Sequence, residues 1–117
     1  MSALAAKALG IPVRTDLSAR RYLKGSVRDY ADALVEITKE LAETEKMPVS
    51  EIHVAYEPLM KSDKMPFLTV RVVIGPKVSL DRRQAFEDRI YERMAARFKN
   101  YEPKDLSERV VLDAMSY

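Results

Sequence analysis

From Val27 to Leu41 the inward-type positions Val27, Tyr30, Ala31, Leu34, Ile37, Thr38 and Leu41 recur at three- and four-residue spacing, while Asp32, Glu36, Lys39, Glu40 and Glu43 fall off that stripe. The period predicts an amphipathic helix from 27 to about 45, ended by Pro48. Gly25 followed by Ser26-Val27-Arg28-Asp29 reads as a capping-box variant at its start. The period then changes to two. Ile52, Val54 and Tyr56 alternate with His53, Ala55 and Glu57 up to Pro58, which predicts a half-buried strand. Residues 59–66 read as a polar loop, and Phe67 to Ile74 as a second strand with Leu68, Val70, Val72 and Ile74 on one face. Two strands so close in sequence pair most simply antiparallel.

Gly75-Pro76 cannot continue a ladder, because Pro76 lacks an amide proton. Ser79 is placed to cap a second long helix, whose inner side is read from Leu80, Phe86, Ile90, Met94 and Phe98, with Ala85 and Ala95 as close-packing neighbours. Arg82, Arg83, Glu87, Asp88, Arg89, Glu92, Arg93 and Arg97 cover the remainder, at spacings that suggest pairs within the helix. After Pro103, residues 109–115 read as a third strand, with Val110, Leu112 and Ala114 against Val111, Asp113 and Met115. Residues 1–12 suggest a short helix ended by Gly10 and Pro12, and residues 13–25 have no clean period.

These elements give an α+β fold: a two-layer α-β-β-α-β sandwich with a three-stranded mixed sheet and two helices on one face. Residues 26–117 form the α+β domain, and residues 1–25 form a basic segment in front of it. A chain of 117 residues fits one domain of this kind. The net charge of +2 is unevenly spread. Residues 1–28 hold six basic side chains against Asp16, residues 29–63 nine acidic against three basic, and residues 64–117 eleven basic against eight acidic. Such a basic arm can pair with the acidic helix, with another copy of the chain, or with a polyanion.

Catalytic chemistry is poorly provided for. There is one histidine and no cysteine, and none of the three glycines has a phosphate-cradling spacing. No cofactor is expected, and an enzyme is not the favoured reading. No apolar run approaches the roughly 18 residues of a membrane span, and a cytoplasmic location is expected. Three sets of residues remain as candidates. Phe67, Val73, Val111 and Met115 share the second sheet face with Arg71. They predict an apolar contact with a second copy, as a homodimer, or with a protein partner. Arg14, Arg20, Arg21, Lys24 and Arg28, with Tyr22 to stack on a base, form an alternative nucleic-acid contact. His53, Glu57 and Asp113 form a weaker candidate for a divalent metal ion. The bland reading of the same face is a partly wet, charged sheet surface.

From Pro48 to Phe98 the chain resembles the cytoplasmic dimerisation domain of cation diffusion facilitator transporters. The matching pieces are Val49 to His53, Phe67 to Ile74, Gly75-Pro76 and Val78-Ser79-Leu80. The resemblance implies a metallochaperone-like fold and a homodimer. Where that family carries a histidine early in its second helix this chain has Gln84-Ala85, so His53 is the one metal-type position that carries over.

Overall fold

The computed structural model describes residues 10–56, 68–98 and 110–114. Among these, four strands form one sheet in the order β1-β2-β3-β4: β1 Val13–Thr15, β2 Val49–Tyr56, β3 Leu68–Ile74 and β4 Val110–Asp113. Three helices accompany them: α1 Leu17–Arg20, α2 Gly25–Thr44 and α3 Leu80–Arg97. The α+β class and the mixed sheet agree with the sequence, as do the antiparallel β2–β3 pair and the parallel β3–β4 pair. The strand number does not. Three residues of the supposed lead-in, Val13-Arg14-Thr15, pair parallel with Ile52, His53 and Val54 and form a fourth strand. Backbone bonds from Ile52 N–H to Pro12 C=O (2.9 Å) and from Asp16 N–H to Val54 C=O (3.0 Å) hold that strand at both ends. Val13–Thr15 are therefore part of the sheet, Ala19 is fully buried in the core, and Tyr22 and Leu23 pack against it.

The core lies between α2, α3 and one face of the sheet. The inward stripe of α2 is buried throughout, and so are Phe86, Ile90, Met94 and Phe98 of the second long helix. Opposite them, Ile52, Val54, Leu68, Val70, Val72, Ile74, Val110, Leu112 and Ala114 close the sheet side. Tyr30 and Phe98 meet with ring centroids 5.2 Å apart. The Ser26 capping box does not form. Lys24 is the extended cap residue, no side chain caps α2, and the helix starts on Gly25 with φ +55°. That left-handed conformation suits glycine and strains other residues. The Ser79 cap is present: its Oγ accepts from Arg82 N–H at 3.2 Å. Leu80, expected inside, is 52% exposed in the first turn, and Ala95 is exposed as well.

Arg83 shows the largest departure. Its side chain is fully buried. Nε donates to Val78 C=O at 3.2 Å, and Nη2 donates to Ile74 C=O at 3.3 Å and Gly75 C=O at 2.7 Å. The guanidinium thus collects carbonyls that the ladder cannot use once Gly75-Pro76 breaks it, a role that suits a rigid fork of N–H donors. Gly75 is locked from the other side. Its N–H donates to Pro48 C=O at 2.9 Å, and a β-carbon there would come within 3.4 Å of the Pro48 ring.

The arginines of α3 reach across to α2 rather than along their own helix. Arg97 meets Glu36 (3.5 Å), Arg93 meets Glu40 (3.8 Å), and Arg89 grips both carboxylate oxygens of Glu45. Partner numbers rise on one helix as they fall on the other, so the two helices run antiparallel. Arg82 adds bonds to the carbonyls of Glu45 (3.3 Å) and Lys46 (3.5 Å).

Two substitutions separate these contributions. Arg83→Met should lower unfolding free energy by about 2–4 kcal/mol in urea denaturation, because buried carbonyls lose their donors. Arg93→Ala should lower it by less than about 1 kcal/mol, as an exposed ion pair.

Candidate interaction surface

The second face of the sheet is built by the residues that alternate with the core set. The register aligns Arg14, His53, Arg71 and Asp113 in one row across all four strands. Ala55, Thr69 and Val111 form the neighbouring row, and Glu51 stands opposite Val73. Both long helices pack on the other side of the sheet. Of the residues expected to form an apolar contact, Val73 and Val111 lie on this face, both half-buried, while Ala55 and Thr69 beside them are buried. Arg71 lies between His53 and Asp113 and approaches the Asp113 carboxylate at 3.7 Å. Phe67 and Met115 lie outside the described residues, as does Glu57.

At the β1 end of the long row the polar side chains form a connected group. His53 Nε2 lies 2.9 Å from Asp16 Oδ1, and its Nδ1 lies 3.4 Å from an Arg14 guanidinium nitrogen. Arginine has donors only, so Nδ1 accepts and Nε2 carries the proton that Asp16 receives. Arg14 Nε also pairs with Glu51 at 2.9 Å. The hydrogen bond from His53, helped by the nearby Arg14 charge, holds the Asp16 carboxyl below its ordinary range. At the other end, Glu87 of α3 accepts the N–H of Ala114, just past β4, at 3.1 Å, and burial pushes its carboxyl up.

The structure does not bring His53 and Asp113 together. His53 and Asp113 are two strand spacings apart, about 10 Å, with Arg71 between them. Both nitrogens of His53 are already engaged. Among the described residues no group of three or more His, Cys, Asp or Glu is placed to hold a metal ion.

The basic candidates are only partly brought together: Arg20 and Arg28 line one pocket, beside Asp32. Arg14 is tied into the sheet face, and Arg28 pairs with Asp32 at 3.7 Å. Arg20, Arg21 and Lys24 are exposed around α1. Tyr22, expected to stack on a base, is half-buried and stacks on Tyr56 at 4.8 Å instead. Sequence reading missed Asp16 as a member of the face. Its position just past a strand too short to show alternation gave no signal.

No described helix is long and apolar enough to cross a membrane. No protein-family model, curated protein or solved structure matches this chain.

The depressed Asp16 carboxyl gives a signed expectation. Its contribution to stability is present above the ordinary carboxylate range and disappears as pH falls through its lowered native value. Asp16→Asn should therefore melt below the wild type at neutral pH, with the gap closing as the pH falls below the ordinary aspartate range. A gap that stays constant across that range would show that the Asp16 charge is not what the pair depends on.

Proposed function

We propose that this chain is a non-catalytic interaction domain that associates with a second copy of itself through the second face of its sheet. The observation that carries this reading is a four-stranded sheet whose helices cover one side, while Val73 and Val111 stand on the other among side chains of both charges. The row across that side runs from Arg14 at one edge to Asp113 at the other. A two-fold axis in the contact plane, parallel to the strands, would set Arg14 of one copy over Asp113 of its partner. An isologous contact needs that self-complementarity. The resemblance to the dimerisation domain of cation diffusion facilitator transporters points to the same kind of assembly. Its metal role has less support, because His53 is committed to Asp16 and Arg14.

The scale of the surface sets the expected strength. From strand rise and spacing, the face has a footprint of at most about 350 Å², part of it already covered at Ala55 and Thr69. Stable complexes bury roughly 800 Å² per partner. The dimer should accordingly be a dissociating one, and the mean mass should climb between tens of micromolar and about a millimolar. Nucleic-acid binding by the arm at 14–28 stands as the second reading, supported by the exposed Arg20, Arg21 and Lys24.

Sedimentation of the wild type, Val73→Glu and Val111→Glu over that concentration range tests the first reading. Each variant should remain monomeric where the wild type associates, since a carboxylate would be buried in the contact. A wild type that stays monomeric throughout, or variants that associate as well as it does, would remove the proposal.

A further inference from the structure

The open edge of the sheet at β1 carries a second recognition element. Pro12, Arg14 and Asp16 face β2: Pro12 C=O accepts from Ile52, and Asp16 N–H donates to Val54. Alternate residues of a strand present their main-chain groups to opposite sides, so Val13 and Thr15 turn their N–H and C=O groups away from the sheet. No strand lies beyond β1 among the described residues. An edge of this kind is ordinarily blunted by charged side chains, proline or a bulge. Here the strand is short, follows Pro12 and carries Arg14 at its centre, but its outward-bonding residues are a valine and a threonine.

Beside this edge, on the helix side, lies a groove of about 370 Å³ between β1 and α2. Val13, Leu23, Ala31, Val35 and Val54 give it an apolar floor, and Val13 is 40% exposed at its mouth. Asp32 and Lys39 stand among its polar lining residues. Main-chain groups along an edge and an apolar groove under alternate positions are the two parts of strand-addition recognition.

The occupant can be narrowed by charge. A second copy adding through its own β1, bonded at Val13 and Thr15 of both chains, would oppose Arg14 to Arg14 on the far face, where like charges destabilise. An acidic side chain in that place would instead meet Arg14, whose side chain is 63% exposed although its guanidinium also contacts Glu51 and His53. We propose that the β1 edge takes up an extended peptide as a fifth strand, with apolar side chains at alternate positions seated in the groove and an acidic residue between them facing Arg14. This contact shares Arg14 with the sheet face but uses neither Val73 nor Val111, and it does not depend on self-association.

A random-peptide display selection against the whole chain tests it. The enriched sequences should alternate, apolar–acidic–apolar. One of them, synthesised and added to the protein, should slow amide hydrogen exchange at Val13 and Thr15. Val13→Pro removes one outward N–H and should weaken that peptide about three- to tenfold, the worth of a hydrogen bond. Arg14→Gln should bind it with the acidic preference lost, measured against the same peptide with glutamine in place of its acid. Val73→Glu should bind it as the wild type does, which separates this result from failure of the dimer. Should Val13→Pro not fold, the wild-type exchange pattern and Arg14→Gln decide. Enrichment of helical or basic sequences, no enrichment, or binding that leaves Val13 and Thr15 unprotected would overturn the proposal.

Discussion

The buried guanidinium of Arg83 is the contact on which the arrangement of the two layers turns. Burying an arginine is unfavourable unless its donors are satisfied, and here carbonyls of Ile74, Gly75 and Val78 satisfy them. Those carbonyls lie at the end of β3 and in the turn that follows, while Arg83 sits in the first turn of α3. One side chain therefore ties the end of a strand to the start of the helix that must cross back over it. Gly75 completes the lock by lying against Pro48, just before β2. The strand-turn-helix junction serves packing, and no ligand is needed to explain it.

The helix layer is sealed by charge on its outer side and by apolar contact beneath. Glu36, Glu40 and Glu45 face Arg97, Arg93 and Arg89 along the antiparallel seam. Individually such exposed pairs contribute little. Together they set the register of α3 on α2, because sliding one helix by a turn would leave an unmatched charge at each end. Much of the excess acid in the middle of the chain and much of the excess base near its end is thus used internally.

The sequence was most legible where a period was long enough to read. The stripe of α2, the alternation of β2 and β3, and Val110, Leu112 and Ala114 near the end all lie where their spacing puts them. β1 was hidden because Val13-Arg14-Thr15 is too short to alternate. Its conformation is set by pairing with residues nearly forty positions away, which no local pattern records. The burial of Arg83 did leave a trace: it falls on the same helical stripe as Phe86, Ile90 and Met94, and its charge led it to be assigned to the surface. The cross-helix pairs were misread because residues four apart on each of two facing helices also fit pairing within one helix. Asp16 escaped notice for the reason β1 did, so the His53 group was legible only at its histidine.

The sheet order also bears on how the chain assembles. β1, α2 and β2 make one parallel unit, and β3, α3 and β4 make another, joined edge to edge by the β2–β3 ladder. The first unit, once synthesised, exposes the free edge of β2 and a row of glutamates with no arginines opposite. Its second half supplies both at once, so the bare edge is a hazard of the nascent chain rather than of the finished molecule. Slow synthesis between the two units would lengthen the interval in which a neighbouring nascent chain could claim that edge.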